Sequence, residues 1–205
     1  MINRGLKKVA RETSLLKSSL SYKWRVFQHI KKLPALSQIN QYIVDALMKE
    51  GAFITSLEAL SLPLNEKLWD AAKAILPNNP KDPAFEDQYV YHVNSAKLIE
   101  NSDIFLWGLQ DRLLDIAEKY LSVPVAYRGL FFQKDFANKQ QVYTRFRHKD
   151  PEEQRLIKIA EYLIYVESES GPVEYIPKHF NAKLSSLKRK LLHSDAEVAE
   201  IVDPS

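Results

Sequence analysis

One stretch of the sequence, residues 141–177, constrains the fold more than any other. It opens with β-branched and aromatic residues and reaches the triplet 148–150, which reads His-Lys-Asp. A short acidic turn separates this triplet from an apolar run at 156–166, and a Gly-Pro pair marks the next turn. Apolar runs of this length between turn residues are typical of strands. We therefore expect β-structure here, with 141–150 paired to a strand that precedes it.

His148 and Asp150 form an H-x-D pair. Side chains alternate between faces in a strand, so these two are expected on the same side. They would be two of the three ligands in a two-His-one-carboxylate site for non-haem Fe(II). The spacing recurs at His193 and Asp195, where the run 194–197 is more typical of a helix N-cap with acids in the first turn. A surface turn with an ion pair remains the alternative for His148.

The wider pattern around His148 resembles a known family. The segment H-K-D-P-E-E is followed by L-I-K-I-A-E-Y-L-I-Y-V and then by S-G-P-V-E-Y-I-P. This order is similar to the phytanoyl-CoA dioxygenase-like family of Fe(II)/2-oxoglutarate-dependent oxygenases, over about residues 40–180. The matching positions are His148, Asp150, Lys158, Tyr162, Leu163, Gly171, Pro172, Tyr175, Ile176 and Pro177, with 113–121 and 124–125 upstream.

The resemblance implies an α+β fold, in which several N-terminal helices pack on a partial double-stranded β-helix, the jelly roll of cupin-like proteins. It implies a dioxygenase that hydroxylates a small-molecule substrate with Fe(II) and 2-oxoglutarate. In this chain the implied metal ligands are His148 and Asp150, and Lys158 and Tyr162 are candidate contacts for the co-substrate. A carboxylate at position 150 argues against the halogenating members, because halide needs that coordination position.

The sequence departs from the family after Asp150. The family has a second metal-binding histidine on a late strand, followed by an arginine that pairs with the far carboxylate of 2-oxoglutarate. Here only His179 and His193 follow, and no arginine follows His193. His193 is a possible third ligand, although basic neighbours disfavour metal binding. We therefore expect a fragment that lacks the distal histidine and arginine; the alternative is a non-catalytic relative that acts as a binding protein.

The N-terminal segment is strongly basic. Nine lysines and arginines precede Pro34 against the single acid Glu12, so this segment carries a charge of about +8. We expect residues 1–35 to form a basic amphipathic segment and 36–205 to form the oxygenase-like domain without its last strands. Residues 1–33 could contact an anionic membrane, act as a targeting peptide or, less readily, touch nucleic acid. The alternative is a solvated helix that packs on the domain through Trp24 and Phe27.

Composition adds few constraints. The chain has 205 residues and no cysteine, which excludes a disulfide framework and thiolate metal sites. The absence of cysteine is compatible with a reducing compartment, and we expect a cytoplasmic protein without a transmembrane span.

Helical periodicity is clear in three further segments. Residues 37–50 predict a helix capped by Ser37 and ended by Gly51. Residues 63–76 predict a second helix. Residues 95–121 give the strongest helical signal and should be interrupted near Ser102 or Gly108.

Overall fold

The structure is a computed structural model that describes residues 17–76, 90–136, 145–148, 156–167, 170–180 and 192–202. Helices dominate these residues, and two small antiparallel sheets complete a mixed α+β fold. None of the helices in these ranges is long and apolar enough to cross a bilayer.

The helices and strands are numbered in chain order. The helices are α1 (17–29, continued by a 3-10 turn Ile30–Lys32), α2 (Gln38–Glu50), α3 (Leu57–Leu60), α4 (Asn65–Ile75), α5 (Ser95–Glu100), α6 (Asp103–Trp107), α7 (Asp111–Leu121) and α8 (Asp195–Val202). The strands are β1 (Val90–His92), β2 (Gln133–Asp135), β3 (Arg147–His148) and β4 (Leu192–His193). A second 3-10 turn covers Lys178–Phe180.

Helix α2 begins and ends where the sequence predicts. The Ser37 hydroxyl accepts a hydrogen bond from the backbone N–H of Asn40, at 3.3 Å, and so caps the first turn. Gly51 adopts φ 90° and its N–H donates to the Leu47 carbonyl at 3.0 Å. The left-handed conformation carries no steric penalty for glycine, because glycine has no Cβ, and this explains why the helix ends there.

The long helical segment is interrupted at both expected places. A turn at 101–102 separates α5 from α6, and residues 108–110 separate α6 from α7. Gly108 keeps a right-handed backbone, so conformation alone does not require glycine there. A Cβ at this position would lie 2.6 Å from the hydroxyl of Tyr127, whose ring packs edge-on against Phe105. Glycine at 108 therefore makes room for the Tyr127 ring.

The core lies between the helices. Helix α2 packs against α7, and α4 packs against α6. The buried apolar residues of the main cluster are Ile43, Val44, Leu57, Leu60, Leu62, Leu68, Ala72, Ile75, Val93, Ile104, Trp107, Leu113, Ile116 and Phe132. Their burial provides the main driving force for folding.

A charged side chain joins three of these helices. The Arg112 guanidinium of α7 donates to Asn40 Oδ1 of α2 at 2.8 Å and to the carbonyl of Leu60 in α3. Asn40 is buried among apolar neighbours, so its amide oxygen needs a donor. The arginine therefore satisfies two acceptors and fixes the relative position of α2, α3 and α7.

Helix α1 docks on the end of α7. The Tyr22 hydroxyl donates to the Leu121 carbonyl at 2.5 Å, and His29 Nε2 contacts Glu118 Oε1. The expectation that this helix packs through Trp24 and Phe27 is wrong, because these side chains are 60% and 72% exposed. Instead, the opposite face of α1, which carries Tyr22 and His29, contacts polar groups near the C-terminus of α7.

Much of the expected β-structure is not formed within the described residues. Residues 156–166, which were expected to form a strand, are assigned to no strand, and the first sheet is β1 with β2. An extended apolar run becomes a strand only when a neighbour supplies its hydrogen bonds. The structure therefore agrees with the α+β class at a coarse level, with strands shorter than the sequence predicts.

Arg112→Ala should strongly destabilise the protein. It leaves Asn40 Oδ1 and the Leu60 carbonyl without a charged donor, and such bonds each contribute about 1.5–3 kcal/mol. We expect the free energy of unfolding in urea to fall by about 2–4 kcal/mol. The exposed Arg25→Ala serves as the matched control and should change it little. Equal effects of the two substitutions would contradict the role given to Arg112.

Asp115→Asn should stabilise the protein at neutral pH. Burial raises the pKa of the Asp115 carboxyl above its ordinary value of 3.8, and the Asp111 and Glu118 carboxylates raise this pKa further. The folded state therefore holds the proton more tightly, and the cost of the charged form develops as pH rises through and above 3.8. Thermal unfolding should show a gain of less than about 1 kcal/mol at pH 7. A gain that does not shrink at about pH 4 would contradict this explanation.

Candidate metal site around His148

The β3–β4 ladder places His148 next to the start of α8. Its register pairs Arg147 with His193 and His148 with Leu192. The Arg147 guanidinium contacts the carboxylate of Glu174 and donates to Asp195 Oδ1 at 2.9 Å. These two ion pairs connect β3 to the segment 170–180 and to α8.

His148 is exposed, and a hydrogen bond orients its ring. Its Nδ1 lies 2.8 Å from the carbonyl oxygen of Phe146, which can only accept. Nδ1 must therefore carry a proton. Histidines that bind metals commonly donate their other ring N–H to a backbone carbonyl in this way. The Phe146 carbonyl therefore orients the His148 ring as the second partner of a metal-binding histidine would.

The geometry of the His148–Asp150 pair remains a prediction, because Asp150 lies outside the described residues. Phe146 is described, but the backbone bends there and is strand only at 147–148. The regular alternation that would place Phe146 on the His148 face therefore does not extend to it.

His193 lies on the other face of the ladder. Residues paired across an antiparallel ladder share a face, so His148 shares a face with Leu192 and His193 shares one with Arg147. The His193 side chain is mostly buried, and its Nδ1 is 3.9 Å from Glu197 Oε2. The register does not bring the possible third ligand together with His148. His193 is in the strand β4, directly before the cap of α8.

The second H-x-D motif caps a helix, as predicted. The Ser194 hydroxyl accepts from the Glu197 backbone N–H at 3.3 Å, and Glu197 Oε2 accepts from the Ser194 N–H at 2.9 Å. This reciprocal arrangement is a capping box at the start of α8. The Asp195 carboxylate in the first turn interacts favourably with the positive end of the helix dipole, and it also pairs with Arg147.

The candidate co-substrate residues lie in the extended segment 156–167. Lys158 is exposed, and the Tyr162 hydroxyl accepts a hydrogen bond from the Val173 N–H at 2.7 Å. Tyr162 thereby fastens this segment to 170–180. The described contacts give Tyr162 a structural role, and its part in binding a co-substrate remains a prediction, as does that of Lys158.

Residues near the Gly-Pro turn bind the end of α2. The Tyr175 hydroxyl donates to the Glu50 carbonyl at 3.1 Å, and Lys178 Nζ donates to the Met48 carbonyl at 2.8 Å. A Cβ on Gly51 would collide with the Tyr175 hydroxyl. The segment that carries part of the resemblance thus satisfies helix carbonyls, a role that the sequence pattern did not indicate.

The described residues supply one candidate donor of the expected site. No group of three or more His, Asp or Glu side chains within them is close enough to hold a metal ion. The Phe146 carbonyl orients the His148 ring, Asp150 lies outside the description, and His193 is on the opposite face. Of the expected ligands, the described residues therefore contribute His148 alone, and the metal site remains a prediction.

Comparisons with protein-family models, curated proteins and solved structures find no match to this chain. They neither support nor contradict the resemblance to the oxygenase family. The function of the His148 site therefore has to be argued from its chemistry.

Arg147→Ala should loosen the ladder that carries His148. Both acidic partners are 64% exposed, so their loss should lower the free energy of unfolding by about 1 kcal/mol or less. Hydrogen exchange should nevertheless show reduced protection at 147–148 and 192–193, with α7 unchanged. Lys49→Ala removes another exposed ion pair and should leave this protection intact. Unchanged exchange in Arg147→Ala would contradict the anchoring role.

Proposed function

We propose that this chain carries part of the metal site of an Fe(II)/2-oxoglutarate-dependent oxygenase that acts on a small molecule, with His148 and Asp150 as ligands. The observation that supports it best is the hydrogen bond between His148 Nδ1 and the Phe146 carbonyl, at 2.8 Å. It holds the imidazole of an exposed histidine in a defined orientation at the end of a short strand. The order of motifs from 148 to 177 supports the same assignment.

The residues of the chain have separate tasks in this proposal. Fe(II) and 2-oxoglutarate, when bound, supply the oxidising chemistry that hydroxylates a carbon of the substrate. His148 and Asp150 would hold the metal ion, and the Asp150 carboxylate would also supply negative charge. Arg147 holds the strand through Glu174 and Asp195, which orients the His148 ring. Ligand position is set in this way by residues that do not touch the metal.

The proposed fold is a jelly roll in which β3 belongs to one of the two sheets. The extended run 156–167 and the segment 170–180, tied together by Tyr162 and Val173, would lie beside it. Backbone groups of extended segments accept further strand partners when these are present. Lys158 and Tyr162 belong to this region, which is why we retain them as candidate co-substrate contacts.

A second candidate is a non-catalytic relative that binds a ligand without iron. The separation of His193 from His148 favours it, since the possible third ligand does not converge on the metal position. In this alternative the Tyr175 and Lys178 contacts with α2 preserve the fold while the metal site is lost. Metal binding distinguishes the two candidates.

The assignment of His148 and Asp150 as metal ligands can be tested with Mn(II), which broadens the NMR signals of nearby protons. The chain has five histidines, so each imidazole signal can be assigned by substitution. We expect the His148 signal to broaden first and Asp150→Ala to weaken Mn(II) affinity about tenfold or more, because even residues that only orient a ligand change affinity by this factor. His179→Ala, at another exposed histidine, is the control. If Asp150→Ala leaves the Mn(II)-induced broadening of the His148 signal unchanged, the assignment of Asp150 as a ligand is contradicted.

The oxygenase itself can be tested by anaerobic titration with Fe(II) and 2-oxoglutarate. A visible metal-to-ligand charge-transfer band that His148→Ala abolishes and His179→Ala retains would support an oxygenase site. A folded chain that binds Mn(II) through His148 but gives no band would show that these 205 residues lack a co-substrate anchor. A folded chain that shows neither signal would favour the non-catalytic alternative.

A further inference from the structure

Helix α1 exposes an apolar stripe on the side that faces away from the domain. Leu20, Trp24 and Phe27 are 66%, 60% and 72% exposed. At 3.6 residues per turn they lie within about 60° of one another around the helix axis. Tyr22 and His29, which dock on α7, lie about 180° from the centre of this stripe. Docking through the polar side therefore leaves the apolar side available to a partner.

The stripe is already organised as one surface. The rings of Trp24 and Phe27 stack with their centroids 5.9 Å apart and their planes 25° from parallel. Ile30, in the 3-10 turn that continues the helix, is 55% exposed. Isolated exposed apolar residues are common, but a contiguous aromatic and aliphatic stripe on one helix marks an interaction surface.

The charge that α1 and its 3-10 turn carry themselves is entirely positive. Residues 17–32 contain five basic side chains and no acid: Lys17, Lys23, Arg25, Lys31 and Lys32. On the same helical projection, Lys17 and Lys23 lie within about 40° of the two edges of the stripe. Lysine stems can lie along apolar surface while their ammonium groups reach the polar phase. This places cations where the headgroups of a bilayer would be.

We propose that α1 is a membrane-surface helix whose stripe inserts into the interface of an anionic bilayer. Tryptophan and phenylalanine on one side with lysines at its borders are the features of helices that lie in the bilayer plane. Negatively charged lipid headgroups complement the acid-free helix. The proposal does not depend on the metal site, and it assigns α1 the task of holding the domain at the membrane.

The charge and shape of the stripe disfavour two other occupants. A second copy of the chain would bring two basic borders together, which repulsion opposes. Nucleic acid would be attracted by the lysines, but the aliphatic Leu20 and Ile30 of the stripe offer its bases no stacking surface. An anionic bilayer matches both the apolar stripe and its border.

The test uses the full chain and sedimentation with vesicles of phosphatidylcholine containing about 30% phosphatidylserine. We expect binding to these vesicles, little binding to pure phosphatidylcholine, and weakening as salt rises. Trp24 fluorescence should shift to shorter wavelength, since Trp107 is already buried and Trp69 half-buried. Binding that is equal for the two lipid compositions, or absent from both, would overturn the proposal.

Two variants separate the stripe from its border. Phe27→Ser should weaken vesicle binding roughly tenfold or more, because it removes an inserted aromatic side chain. Phe131→Ser, at a 90% exposed aromatic outside α1, is the matched control and should bind normally. Lys17→Gln with Lys23→Gln should weaken binding about fivefold for each lysine while leaving the stripe intact.

Two results would assign the stripe to another partner. A dimer in sedimentation equilibrium that Phe27→Ser dissociates, without vesicle binding, would assign it to a second copy. Retention by single-stranded oligonucleotides rather than by anionic vesicles would assign it to nucleic acid. Either result would overturn the membrane proposal, and neither depends on whether His148 binds a metal.

Discussion

The Arg112 guanidinium sits between three helices, where Asn40 Oδ1 and the Leu60 carbonyl both accept its hydrogen bonds. These acceptors are far apart in sequence, so only the folded chain can bring them to one donor. Apolar burial would hold α2 and α7 together in several alignments, because it is not directional. The hydrogen bonds of Arg112 are directional, and they select one alignment. The alignment of α2 and α7 in turn sets where their C-terminal ends lie.

The C-terminal ends of these two helices then serve as docking points. The last carbonyls of a helix have no partner within it, and donors from distant segments satisfy them here. Tyr22 binds the end of α7 and thereby attaches α1. Tyr175 and Lys178 bind the end of α2 and thereby attach the segment 170–180. Glu174 in that segment contacts Arg147, so the position of His148 depends on a chain of contacts that begins at α2.

The setting of His148 and the exposure of the apolar stripe on α1 both follow from this arrangement. His148 lies on a short strand that ion pairs hold from both sides, and its ring carries the proton on the nitrogen that faces Phe146. The apolar side of α1 is exposed because the polar side is used for docking. A helix held by its polar face and exposing its apolar face is the reverse of the usual amphipathic packing against a core. A second, apolar phase such as a bilayer would account for that reversal.

The sequence by itself determined the elements whose signals are local. Ser37 and Gly51 bound α2, and the capping box at Ser194 starts α8, because such caps depend on residues close in sequence. Gly108 differs, since it makes room for the Tyr127 ring, which only the folded chain brings there. The tertiary structure decided which extended segments found strand partners, since pairing depends on distant chain. It also decided that His193 lies opposite Arg147 rather than beside His148, and that α1 turns Trp24 outward. A periodic pattern identifies a face, and only packing decides what that face meets.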